Sequence, residues 1–172
     1  MASNSQSEIE DFSRSDEAPE GEWWAEFLVG LSLEQEDSVD QPVNRRIDGL
    51  CVTSREPSSG VERLYKDEMR EKHAAGWLDG EEVVLVEHGR GTAAWAKYGQ
   101  LDVRRRMFEM DWERTAVKSA TVVMEVGDPE TYGRGDTRWM FENDLGDYEY
   151  MVEFEGGYHT YGDFIDEYCC VR

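Results

Sequence analysis

The sequence predicts an α/β (or α+β) single domain, a central mixed β-sheet flanked by helices. Three stretches carry that expectation. Val83, Val84, Leu85 and Val86 form an apolar run leading into a polar tip, Glu87-His88-Gly89-Arg90-Gly91. The next stretch is free of Gly and Pro apart from Gly99, and it carries Trp95, Tyr98, Leu101, Met107 and Phe108 at mostly helical spacing. A second apolar run, Ala120 to Val126, closes on Gly127-Asp128-Pro129. The pattern is strand, helix, strand, and the long connection suits two neighbouring, parallel strands of one sheet. The rest of the chain reads as additions to this unit.

Residues 1–19 are rich in Ser, Glu and Asp and hold few bulky apolar side chains, so a disordered acidic tail is expected. A single domain is expected over 20–172, its core at about 22–130 and an aromatic, acidic extension over 131–172. A helix is expected to begin near Pro19-Glu20. Trp23, Trp24, Phe27, Leu28 and Leu31 give it one apolar stripe, with Glu22 and Glu26 alongside. Asp37 to Pro42 ends the segment after that helix. Val43 to Thr53 reads as a strand whose one acid is Asp48, with Gly49 marking a bulge or a close backbone approach.

Ser54 to Gly60 is a loop, and Val61 to Trp77 a highly charged helix stopped by Gly76 and Asp79-Gly80. Leu78 to Val86 allows two readings, a hairpin partner of the Asp48 strand across Asp79-Gly80 or simply the next strand. The turn signal favours the hairpin. Thr131 to Arg138 is a Gly-rich loop. Tyr148 to Phe154 alternates like a strand, with Gly156-Gly157 as its turn.

Charge limits the functional classes. The 172 residues hold 39 Asp and Glu against 18 Lys and Arg, a net charge of −21, and Arg far outnumbers Lys. In dilute salt such a chain repels nucleic acid and anionic membranes. Adaptation to a salt-rich cytoplasm explains the acidity, because the Debye length falls to roughly 3 Å at 1 M. Imitation of DNA phosphates by surface carboxylates is the rival explanation. Acidity spread along the whole chain favours salt adaptation, under which a nucleic-acid partner remains open, bound weakly and salt-dependently.

Cys51, Cys169 and Cys170 make neither a disulfide framework nor a zinc ribbon. Without an apolar leader or a long apolar run, a cytoplasmic location with no membrane contact is expected. The short Gly-Arg-Gly segments are not phosphate loops, and neither a dinucleotide fingerprint nor a nucleophile elbow appears.

Three acids stand where elements converge: Glu22 or Glu26 on the first helix, Asp48 on a strand, Glu87 at the end of another. Hard carboxylate oxygens are what Mg²⁺ takes, with several waters kept. His88 beside Glu87 points to the opposite strand face, and Arg104-Arg105-Arg106 reads as a solvated helix face or a phosphate contact.

The order of these elements resembles the PD-(D/E)xK nuclease superfamily, with its restriction-endonuclease-like core. The residues that carry the resemblance are Arg46-Ile47-Asp48-Gly49-Leu50, Val84-Leu85-Val86-Glu87, Tyr98-Gly99-Gln100-Leu101 with Arg104, and Val122 through Glu130. It spans roughly Glu22 to Glu130. The resemblance implies Mg²⁺-dependent phosphodiester hydrolysis of nucleic acid. It makes Asp48 and Glu87 metal ligands, Glu26 an auxiliary ligand, and Gln100 a residue facing the site from the helix.

One position departs from the pattern. The superfamily places Lys two residues after the acid, since alternate strand residues share a face, and here Gly89 stands there. Arg90 faces the other way, and its guanidinium does not give up a proton at workable pH. Lys97, one turn into the following helix, can reach the vacant place, as relocated lysines do in that superfamily. It is the candidate for polarising water or stabilising developing charge. An intact site requires Asp48, Glu87 and Lys97 to meet. A catalytically inactive relative acting as an acidic interaction protein, or a DNA mimic, would not require it.

Overall fold

The computed structural model describes residues 4–35, 45–91, 94–129 and 148–168. Seven strands form one mixed sheet: β1 (Glu22–Val29), β2 (Arg45–Val52), β3 (Glu62–Arg63), β4 (Glu82–Arg90), β5 (Ala116–Glu125), β6 (Tyr148–Phe154) and β7 (Gly157–Thr160). Among the described residues four α-helices flank it: α1 (Asn4–Ser13), α2 (Lys66–Ala74), α3 (Ala94–Asp111) and α4 (Tyr161–Tyr168). The spatial order is β3-β1-β2-β4-β5-β6-β7. As the strand–helix–strand pattern requires, β4 and β5 are parallel neighbours joined through α3. β6 adds parallel to β5, and the β6–β7 hairpin turns at Glu155-Gly156.

Strand parity sorts the core into two layers. Val83 and Leu85 of β4 join Val122 of β5, Val152 of β6, and Leu101 and Phe108 of α3 on one face. Val84, Val86, Val123 and Met151 meet Ile9 and Phe12 of α1 on the other. A strand covered on both faces reads as an unbroken apolar run.

That property explains the first correction. Residues 22–29 are the strand β1, not a helix. Trp23 and Ala25 pack toward α1, while Trp24, Phe27 and Leu28 pack in the other layer. A doubly buried strand fills neighbouring positions with apolar groups and so imitates an apolar helical stripe. Glu26, at φ 49°, breaks the regular strand conformation at its centre.

The second correction concerns the expected disordered tail over 1–19. Residues 4–13 form α1, with Ile9 and Phe12 buried. Two apolar side chains three positions apart are enough to cover a sheet face on which no other helix packs among the described residues. Gly49 is the close approach its residue type suggested, since a Cβ there would stand 2.8 Å from Ile9 Cδ1.

Two smaller differences concern the segment between β2 and β4. The 61–77 stretch begins with β3 before α2 starts at Lys66. β2 and β4 are indeed antiparallel neighbours, but the chain between them runs through β3 and α2, so Asp79-Gly80 is the entry to β4 and not a hairpin turn. The 131–138 loop, the 37–42 stop and Cys169-Cys170 lie outside the described residues. No helix among the described residues is long and apolar enough to cross a membrane.

Candidate active site

β2 and β4 pair in the register Gly49↔Val86. The next residue along each strand is Asp48 on one and Glu87 on the other, so the two acids face each other just past the last paired residues. The His88 N–H donates to Asp48 Oδ2 at 2.9 Å, which fixes that carboxylate against β4. Parity places Glu87 with Val83 and Leu85 on the α3 side.

α3 brings two cations to this pair. Lys97 Nζ lies 3.9 Å from Asp48 Oδ2 and 3.8 Å from Glu87 Oε2. Arg104, two turns further along the same helix, donates from Nη1 to Glu87 Oε1 at 2.5 Å. Leu101 lies between them in sequence and is fully buried, anchoring this face of α3 to the sheet.

The space vacated at position 89 is filled. A Cβ on Gly89 would stand 2.9 Å from Lys97 Cγ and 3.0 Å from Lys97 Cε. The aliphatic stem of Lys97 thus runs where a side chain from the strand would begin, and carries its ammonium to the two acids. A strand position without a side chain and a helix lysine that lies across it make one arrangement.

Glu87 is fully buried, and its Oε2 has no hydrogen-bond partner. The neighbouring Asp48 can bond it only through a shared proton. Burial, and next the charge of Asp48, push the Glu87 carboxyl up to about 8, while Arg104 pulls it back toward the ionised form. A buried carboxyl oxygen without a hydrogen bond, beside a second acid and with an ammonium 3.8 Å away, is a place that a metal cation can take.

Glu26 and Gln100 do not join the site. Glu26 forms an ion pair with Arg63. Gln100 is exposed on α3. Among the described residues no three His, Cys, Asp or Glu side chains are arranged to hold a metal ion. The site offers two carboxylates, and one or two protein carboxylates are the usual complement for Mg²⁺, whose remaining ligands are waters and substrate phosphate. The residues fit that ion.

His88 lies on the opposite face, as its parity requires, between Glu8 of α1 at 3.2 Å and Glu153 of β6 at 2.8 Å. Arg105 and Arg106 pair with Glu109 and Asp102, one turn away along α3. The pairing of Arg104 with Glu87 is what sequence reading missed. Its spacing of seven from Lys97 was the available signal, hidden by two neighbours of the same type.

None of the protein-family models, curated proteins or solved structures compared with this chain matches it.

Proposed function

We propose that the protein is a nuclease-like enzyme of the PD-(D/E)xK kind, hydrolysing phosphodiester bonds of nucleic acid with Mg²⁺. The observation that carries this reading is the meeting of Asp48, Glu87 and Lys97, with the Lys97 stem in the space left by Gly89. Asp48 and Glu87 would hold the ion. When bound, Mg²⁺ supplies Lewis-acid polarisation of the phosphodiester and lowers the pKa of a bound water. Lys97, beside both acids and partly open to solvent, orients the attacking water and offsets charge developing on the phosphate.

The net charge of −21 makes diffuse attraction of nucleic acid weak, so substrate affinity must come from the site and its rim. The acidity suits a protein working in concentrated salt, where its self-repulsion is screened.

Titration with Mg²⁺ or Mn²⁺, followed by tryptophan fluorescence in high KCl, tests the reading. Wild type is expected to give a saturable response that Asp48→Ala/Glu87→Ala abolishes, with metal-dependent cleavage of nucleic acid lost in Lys97→Ala. Equal responses from wild type and the double variant would remove the metal site. The protein would then stand as a non-catalytic acidic interaction protein.

A further inference from the structure

We propose that Arg104 is a positioning residue that presents Glu87 to the metal through a single oxygen. This inference rests on the Mg²⁺ site proposed above and assigns a residue that the Asp-Glu-Lys pattern does not include.

Each acid commits one carboxylate oxygen to a donor on the protein. Asp48 Oδ2 is engaged by the His88 N–H at 2.9 Å. Glu87 Oε1 is engaged by Arg104 Nη1 at 2.5 Å. Glu87 Oε2 is buried, unbonded, and on the side that Lys97 approaches. A guanidinium on Oε1 fixes the rotation of the carboxylate, so Oε2 alone is presented to a cation. Bidentate binding, which Ca²⁺ accepts readily, would require Arg104 to leave.

The geometry also separates the two cations on α3. Lys97 stands at 3.8–3.9 Å from both acids, too long for direct hydrogen bonds, and can give way to an ion. Arg104 is in direct contact with one acid and four-fifths buried, so it stays. Groups that orient a metal's ligands in this manner commonly alter affinity 10- to 100-fold when removed.

The test is Mn²⁺ binding, followed by electron paramagnetic resonance, to wild type, Arg104→Gln and Arg104→Lys, with thermal melts to establish folding. Water-proton relaxivity of the bound Mn²⁺ reports how many waters it keeps. The expected result is weaker binding in Arg104→Gln by 10-fold or more, partial recovery in Arg104→Lys, and lower relaxivity in Arg104→Gln as Glu87 turns to bind through both oxygens.

Unchanged affinity and relaxivity in both variants, beside a wild type that binds, would overturn the assignment while leaving the metal site intact. Tighter binding in Arg104→Gln would overturn it too, by making Arg104 a competitor of the ion. Absence of saturable Mn²⁺ binding in wild type would overturn the metal reading, and this inference with it. Should Arg104→Gln fail to fold, Arg104→Lys alone decides by the same two readouts.

Discussion

Gly89 and Lys97 share one space: a Cβ on the glycine would stand 2.9 Å from Cγ of the lysine, closer than real carbon atoms approach without displacement. Met124 Sδ lies at the same distance from that point. Both neighbours are flexible side chains, so Gly89→Ala is expected to fold with a loss of about 1–2 kcal/mol, within the usual cost of overpacking. In a Lys97→Ala background the loss should shrink, with Met124 left as the remaining obstacle. Urea denaturation of the four proteins in a double-mutant cycle measures the coupling. Strictly additive losses would mean that the two positions do not compete for space.

Glu87 gives the metal-free protein a pH signature. Its carboxyl is pushed up to about 8 in the fold, chiefly by burial and then by Asp48, from an ordinary value near 4.5. Between those limits the folded state holds a proton that the unfolded chain has released. Its stabilising contribution is therefore full below pH 4.5 and is lost as pH rises through about 8. One proton sets a slope of up to about 1.4 kcal/mol per pH unit. Glu87→Gln keeps an oxygen for Arg104 and supplies an N–H toward Asp48 at every pH. Its melting temperature, measured in EDTA, is expected to pull ahead of wild type as pH is raised from 5 to 8. A constant gap across that range would show that Glu87 is already ionised at pH 5.

Asp111, the last residue of α3, ties the helix to the end of β1. Its carboxylate accepts from the backbone N–H groups of Gly30, Leu31 and Ser32 at 2.7, 3.1 and 2.8 Å, and from the Ser32 hydroxyl at 2.8 Å. Asp111→Ala leaves these largely buried donors without an acceptor. A loss of about 3 kcal/mol is expected, since bonds to a charged acceptor are strong and unpaired donors costly. The urea midpoint measures it. Asp111→Asn, which keeps one carbonyl oxygen, should lose less.

Removing residues 1–19 should not be innocuous. α1 covers Trp23, Val84, Val86, Val123 and Met151 with Ile9 and Phe12. A chain beginning at residue 20 is expected to bind a hydrophobic dye and to aggregate, as exposed apolar patches do. Phe12→Ala alone should cost about 3 kcal/mol. A truncated protein that stays monomeric with an unchanged melting temperature would restore the idea of a dispensable tail.

The parallel unit was legible because β4 and β5 are long, apolar and punctuated, and because α3 keeps a helical stripe through Leu101 and Phe108. Asp48 and Glu87 were legible as acids set in apolar strand patterns, whereas Lys97, on a helix, was singled out only through the resemblance. The elements that escaped were decided by tertiary cover. Residues 22–29 are buried on both sides, which erases the alternation that distinguishes a strand. α1 was missed because its stability comes from the sheet beneath it and not from its own polar sequence. Glu26 was placed in the site on the assumption of a helix. As a strand residue turned to φ 49°, it meets Arg63 instead. Arg104 was obscured by standing first in a row of three arginines, of which the other two pair along their own helix.

β4 alternates two chemistries on one ribbon: Glu87 and Gly89 toward Lys97, and His88 toward Glu8 and Glu153. Side chains on a strand repeat every two residues, so adding or deleting one residue within β4 ahead of Glu87 exchanges the two faces beyond it. A deletion would bring the histidine beside Asp48, and an insertion would drive the glutamate among the carboxylates of Glu8 and Glu153. The residue count of β4 thus constrains the site more tightly than most of the side chains within the strand. Among diverging descendants, substitutions should accumulate in that strand while its length stays fixed.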